Sequence, residues 1–159
     1  MKVFSNTTPF IALCSVNLLH LLPEIFTQIN VATAVAQECR AGGKILVPDL
    51  ASLNWIHVQD APTGRQLPAL FELDQGERDT LLLAAQQTGA IVLMDEKLGR
   101  NMAEYMGLDV TGTLGILAKA KSLALIPSFA QAASGMRDQG IYFSEGLIKR
   151  LATRLSELN

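Results

Sequence analysis

Short apolar runs that end on a polar or acidic residue, with helix-spaced segments between them, restrict this chain to one broad kind of fold. The clearest case lies between Leu73 and Glu96. Leu73-Asp74-Gln75-Gly76-Glu77 opens a helix, Leu81 to Ala85 is continuously apolar, and Thr88-Gly89 stops it. Ala90-Ile91-Val92-Leu93-Met94 then reads as a buried strand that ends on Asp95-Glu96. A strand that is apolar at every position is covered on both faces, as in parallel sheets flanked by helices. In open sheets of that kind, strand C-terminal ends and helix N-termini share one edge, where ligands are usually held. The segment thus brings two carboxylates, Glu77 and Asp95, to one edge, and such a pair suits a divalent cation.

The alternation runs through the chain. Lys2-Val3-Phe4-Ser5 reads as a strand, and Asn6-Thr7-Thr8-Pro9 leads into a helix with Thr8 as N-cap and Pro9 in its first turn. Val16 to Leu22 predicts a second short helix stopped by Pro23, and a second strand is expected within Ile25 to Val31. Thr33 is expected to cap a helix to Ala41, ended by Gly42-Gly43, with Val35 and Cys39 facing inward and Glu38 beside that stripe. Trp55 to Val58 reads as an edge strand, Pro62-Thr63-Gly64 as a turn and Leu67 to Glu72 as one helical turn. Further helices are expected over Gln75–Gln87, Glu96–Met106, Ile116–Ser122, Ser128–Gln139 and Ser144–Leu158. Leu108 to Val110 reads as a short strand, and Thr111 to Gly115 as a tight turn after it. The pattern predicts an α/β fold with a parallel sheet. A chain of 159 residues fits a single domain, 1–159.

Composition narrows the function. Hydrophobic content of 49% against 18% charged residues excludes a disordered chain. A net charge of −2 argues against broad electrostatic capture of nucleic acid and leaves a local basic patch open. Cys14 and Cys39 form no metal-ligand pair and read as small buried hydrophobes in a reducing compartment. Lys2, the run from Phe10 to Leu22 and Ala34-Val35-Ala36 outline a secretory signal. However, Asn6, Ser15, Asn17 and His20 interrupt it, so the cytoplasm is the expected location. No run of about 18 apolar residues predicts a membrane span.

Asn6, Glu38, Glu77 and Asp95 are the candidate metal ligands: Asn6 and Asp95 follow strands, Glu77 opens a helix, and Glu38 lies on the helix after the second strand. Each has a plainer reading. Asp74 and Glu77 have capping-box spacing, Asp95 can cap the next helix, Asn6 can cap the first, and Glu38 can be a solvated surface residue. The Gly112 turn can offer N–H groups to a phosphate or be only a tight turn. Lys97 and Arg100, like Lys119 and Lys121, can meet phosphates or simply face solvent. His20 and His57 lack a paired zinc spacing, and His20 is expected to pack within an apolar helix. No G-x-S-x-G, Walker A or G-x-G-x-x-G motif is present.

Together these stretches resemble PIN-domain proteins. The resemblance is carried by Ser5-Asn6-Thr7-Thr8-Pro9-Phe10-Ile11, by Glu38, by Leu73-Asp74-Gln75-Gly76-Glu77, and by Leu93-Met94-Asp95-Glu96 with Arg100 and Ala103. The run from Gly107 to Gly115, with Ala118-Lys119-Ala120, resembles one prokaryotic branch, a domain of unknown function similar to VapC-type toxins. The resemblance covers nearly the whole chain. It implies a Rossmann-like three-layer α/β/α sandwich around a parallel sheet of four to five strands. It also implies a metal-dependent endoribonuclease using Mg²⁺ or Mn²⁺, silenced by a small antitoxin protein and often dimerised. Residue by residue, Glu38, Glu77 and Asp95 match acidic positions of that nuclease cluster. Asn6 departs from it, since active PIN nucleases carry aspartate there. Asparagine keeps a carbonyl ligand and loses the charge, which lowers metal affinity. Asp79 and Glu96 are candidates to restore it. Asp79 points to a different helical face from Glu77, whereas Glu96 adjoins Asp95.

Three readings follow. The first is a toxin-type ribonuclease, with Thr7 or Thr8 bonding the attacking water or a phosphate oxygen, and with Lys97, Arg100, Gly112 and Thr113 on the substrate side. The second is a module that binds RNA or a partner protein without cleaving. The third is a homodimeric structural protein assembled through apolar helices such as Leu114 to Leu125. The high apolar content favours a dimer in any of them.

Overall fold

A computed structural model describes residues 2–63 and 68–157. In chain order the first half gives β1 (Val3–Ser5), α1 (Thr7–Cys14), α2 (Leu21–Phe26), β2 (Ile29–Ala32), α3 (Thr33–Ala41) and β3 (Ile56–Gln59). The second half gives α4 (Gln75–Ala84), β4 (Ile91–Leu93), α5 (Lys97–Tyr105), β5 (Asp109–Thr111), α6 (Thr113–Ser122), α7 (Phe129–Asp138) and α8 (Glu145–Arg154). Short 3₁₀ turns occupy Leu50–Ser52 and Pro68–Glu72.

The five strands form one wholly parallel sheet in the order β3-β2-β1-β4-β5. β1 and β2 are buried at every residue, so helices cover both sides of the centre, as their largely apolar sequences require. The edge strands β3 and β5 are only partly buried. This is the expected Rossmann-like α/β/α sandwich, with five strands. The chain moves outward from β1 to β2 to β3, then crosses back to lay β4 and β5 on the other side of β1. The connections leaving β1 and β4 therefore run in opposite directions from adjacent strands. That is a topological switch point, the place where open α/β sheets form a crevice at their C-terminal edge.

The core is apolar and continuous, with Phe4, Phe10, Leu13, Leu81, Leu93 and Phe129 essentially inaccessible. Asn30, a buried polar residue on β2, is satisfied. Its Nδ2 donates to the Val3 carbonyl at 3.2 Å, across the β1–β2 pairing. At the far end of the chain, the Glu157 carboxylate accepts from the Phe129 N–H at 2.6 Å, the Ala130 N–H at 2.9 Å and Ser128 Oγ at 3.0 Å. It thereby caps α7 and ties the end of α8 to it.

Several local expectations need correction. α1 begins at Thr7 with Asn6 in the N-cap position, so Thr8 is not the cap. Val16 to Leu22 is not one helix, and Pro23 sits in the first turn of α2, where its missing N–H costs nothing. His20 is exposed at the start of α2 and not packed, and Cys14 is only half-buried, although Cys39 is buried. Thr33 is the first residue of α3 and its hydroxyl donates to Asp60 at 2.6 Å. α6 starts at Thr113, earlier than expected. Gly64, Leu67 and Leu158 lie outside the described residues. Among the described residues no helix is long and apolar enough to cross a membrane.

Candidate functional site

The site is built first by backbone. Ser5 pairs with Leu93, and the Asn6 N–H donates to the Leu93 carbonyl at 3.2 Å, so the chains leaving β1 and β4 run side by side. Asn6 has extended dihedrals in the N-cap position of α1, yet its side chain makes no capping bond. The amide turns instead to the switch point, where the residue is only 3% exposed. Its Nδ2 donates to Glu96 Oε2 at 3.0 Å, and Thr8 Oγ1 donates to Glu96 Oε1. A carboxylate only accepts, so Glu96 fixes which way the amide faces. Asn6 Oδ1 is left buried with no hydrogen-bond partner. Buried polar atoms are nearly always satisfied, and an exception calls for a water, an ion or a chemical role.

Glu77 reaches the same region from the start of α4. The capping box expected from its spacing is present: the Glu77 N–H donates to Asp74 Oδ1 at 2.8 Å, and the Asp74 N–H to Glu77 Oε2 at 3.4 Å. The capping and site readings are therefore compatible, because the box orients the carboxylate that a ligand would need. Burial first, then the negative charges of Asp74, Glu96 and Glu38, push the Glu77 carboxyl up to about 7. Glu38 stands on α3, and Thr7 Oγ1 donates to its Oε2 at 2.8 Å. Partial burial of its carboxylate, with Asp74 and Glu96 nearby, raises its pKa as well. Acids from α3, α4 and the β4–α5 junction thus feel one another across the edge.

Gly76 explains how α4 comes so close. A Cβ there would lie 2.4 Å from Glu38 Oε1. Gly76→Ala gains helix propensity of up to about 1 kcal/mol but must push the Glu38 carboxylate aside. The expected outcome is an unchanged or slightly higher Tm with a measurably weaker Mn²⁺ response by calorimetric titration.

Asp95 is placed differently. Its Oδ1 accepts from the Thr113 N–H at 2.7 Å and its Oδ2 from Thr113 Oγ1 at 2.6 Å. Asp95 therefore caps α6 from the neighbouring strand end, rather than the helix that follows it in sequence. Burial raises its pKa, the two Thr113 bonds oppose the rise, and Glu96 adds to it. Arg100 completes this corner by donating from Nη1 to the Met94 carbonyl at 3.1 Å. A Cβ on Gly112 would lie 2.7 Å from Arg100 Nη1 and 3.0 Å from Asp95 Oδ1, so only glycine lets the three meet. Asp95→Ala is expected to cost about 1–2 kcal/mol through the lost cap, whereas Asp95→Asn retains an acceptor and most of that stability. Urea denaturation of the two variants separates the cap from any chemical role.

The four sequence candidates are therefore not equivalent. Asn6 stands at the centre with Glu96; Glu77 and Glu38 share its electrostatic field; Asp95 is turned toward α6. The hydroxyls of Thr7 and Thr8 orient carboxylates, and Thr113 holds Asp95. Lys97 is exposed beside Glu96. Asp74, read only as a cap, also adds negative charge to the site, which its place next to Glu77 in the capping box foreshadowed. Among the described residues, no three Asp, Glu, His or Cys side chains are close enough together to hold one metal ion.

Residues 2–157 match the model of DUF3368, a PIN domain. The chain belongs to this PIN-domain family. No curated protein and no solved structure matches it. The PIN fold is a nuclease fold; PIN domains generally use divalent metals and commonly bind RNA. The residues of this PIN domain fit such an ion in donor chemistry. The edge offers oxygen donors, which hard cations prefer. One of them, Asn6 Oδ1, is buried without a partner. Burial, and then repulsion from the neighbouring carboxylates, raises the pKa of Glu77, and an added positive charge would oppose both.

Proposed function

We propose that this PIN domain is a metal-dependent endoribonuclease of toxin type, hydrolysing RNA phosphodiester bonds at the switch-point edge. Asn6, Glu77 and Glu96 would hold Mg²⁺ or Mn²⁺, with Glu38 beside them and Asp95 shaping the rim. The observation that carries the reading is the buried, unpartnered Asn6 Oδ1 at the meeting point of the acids. Glu96 supplies next to Asn6 the charge that asparagine lacks. When bound, a divalent cation lowers the pKa of water and neutralises charge building on a phosphate. The chain's own part is to position: Thr8 and Asn6 hold Glu96, Thr7 holds Glu38, and Asp74 holds Glu77. Arg100 and Lys97, on the first turns of α5, would meet the phosphates of the RNA. In this reading a small antitoxin protein blocks the edge, the protein works in the cytoplasm, and two copies associate as a homodimer.

The test is cleavage of single-stranded and hairpin RNA with Mg²⁺ or Mn²⁺ by the wild type, Glu96→Gln and Asp95→Asn. Cleavage that vanishes in EDTA, collapses with Glu96→Gln and largely survives Asp95→Asn supports the assignment. Cleavage indifferent to Glu96→Gln removes Glu96 from it. A second reading has its own support, since among the described residues no three acids stand within reach of one ion. There the domain binds RNA or a protein without cutting. Salt-dependent RNA affinity with no cleavage under either metal would select it.

A further inference from the structure

A groove of about 450 Å³ opens beside the acidic edge, between the β5–α6 turn and α8. Its volume falls in the ~300–1,000 Å³ range of small-ligand sites. Asp95, Arg100 and Gly112 form its inner end, and Leu147, Leu151 and Tyr142 its outer wall. Tyr142 is 85% exposed, a large aromatic ring on a surface that has no need of it for the core. Phe143, next to it, also lines the groove but packs against the core, which anchors the segment that carries Tyr142. The wall is fixed as well, because Glu157 ties the end of α8 to the start of α7.

The charges around the groove point to its occupant. α8 carries Lys149, Arg150 and Arg154 against one acid, Glu145, which is already paired with Arg137 at 3.0 Å. Arg150 and Arg154 each lie three residues past a groove-lining leucine, on the same side of the helix. Arg100 adds a cation at the inner end. A chain whose net charge is −2 thus concentrates positive charge around one apolar, aromatic slot whose inner end reaches Asp95. An apolar peptide would find no use for that rim. A single-stranded nucleic acid uses both parts, the bases stacking on aromatic side chains while cations follow the backbone.

We infer that this groove is a nucleobase pocket, in which Tyr142 stacks on a base of single-stranded RNA next to the phosphate presented to the acidic edge. The inference rests on the ribonuclease reading for the identity of the polymer, but not for cleavage. Arg100, held by the Met94 carbonyl, lines the pocket beside Asp95, with Gly112 giving it room. Stacking tolerates any base, so the pocket sets which part of an RNA enters, namely unpaired segments, more than which sequence.

The experiment is fluorescence anisotropy of a labelled single-stranded oligoribonucleotide in EDTA, where no cleavage intervenes, with the wild type, Tyr142→Ala and Tyr142→Phe. An abasic ribose-phosphate oligomer of equal length is the control. Tyr142→Ala is expected to weaken RNA binding about tenfold, a loss typical of one base–aromatic stack. Tyr142→Phe should match the wild type, and the abasic oligomer should bind wild type and Tyr142→Ala equally. Equal RNA affinity for wild type and Tyr142→Ala would overturn the pocket and leave the groove to a protein segment. A wild type that cleaves RNA with Mn²⁺ but shows no Tyr142 dependence loses the pocket and keeps the nuclease. Tenfold weaker RNA binding by Tyr142→Ala, in a protein that cleaves under no metal, supports the pocket and removes the nuclease.

Discussion

Asn6→Asp should melt well below the wild type in EDTA and above it with Mn²⁺. Without metal, the substitution replaces the Nδ2 donor to Glu96 by a second carboxylate at a position 3% exposed. Two adjoining carboxylates in a buried place cannot both ionise readily, and one pKa rises sharply. The pair binds more protons folded than unfolded, so the penalty grows with pH and fades in acid. A loss of about 2 kcal/mol at neutral pH is expected, roughly 5 °C in Tm for a chain of this size. A bound cation inverts the result, since an added ligand charge raises affinity, and a ligand that binds only the folded state stabilises it. Cleavage by Asn6→Asp should equal or exceed that of the wild type. Melting curves of both proteins indifferent to Mn²⁺ would remove the metal site.

Glu77→Gln separates stability from activity. In the wild type, Glu77 has its folded pKa raised from 4.5 to about 7. Between those values the folded protein binds the extra proton, so ν_U − ν_N is negative and stability falls as pH rises through the window. Above about pH 7 the full cost is present, about 2 kcal/mol once neighbouring carboxylates share it. Glutamine keeps the acceptor that the capping box needs, because that motif accepts Gln at its third position. Glu77→Gln should therefore be more stable than the wild type at pH 8 and equal to it at pH 4, by urea titration at both. Its Mn²⁺-dependent cleavage should fall by about a hundredfold or more, since one ligand charge is gone. Added Mn²⁺ should flatten the wild-type pH profile and leave the variant unmoved. A variant both less stable at pH 8 and fully active would place Glu77 in the cap alone.

How legible this was depended on the kind of interaction. The sheet could be read because β1, β2 and β4 are buried on both faces, and only near-continuous apolar runs serve such positions. Helix starts were less clear. Thr8-Pro9 has the chemistry of a cap, but the backbone places Asn6 there and frees Thr8 for Glu96. Pro23 looked like a stop because a proline reads alike in a helix's first turn and beyond its end. The choice between Asp95 and Glu96 at Asn6 lay beyond local reasoning. It turns on Thr113, which claims Asp95 from the start of a helix laid down later. The Asp74–Glu77 box could be foreseen, because both partners lie within one turn.

The strand order also decides when the edge comes into existence. Asn6 is made before Glu96, which follows it by 90 positions, and Thr113 trails Asp95 by 18. β4 must insert beside β1 after β2 and β3 have already been synthesised. A ribosome-bound fragment that stops before β4 holds Asn6 without its carboxylate partner, and one that stops before α6 holds Asp95 without its clamp. On the proposed ribonuclease reading, a nascent chain would be unable to cut the message that encodes it until Glu96 had emerged to join Asn6.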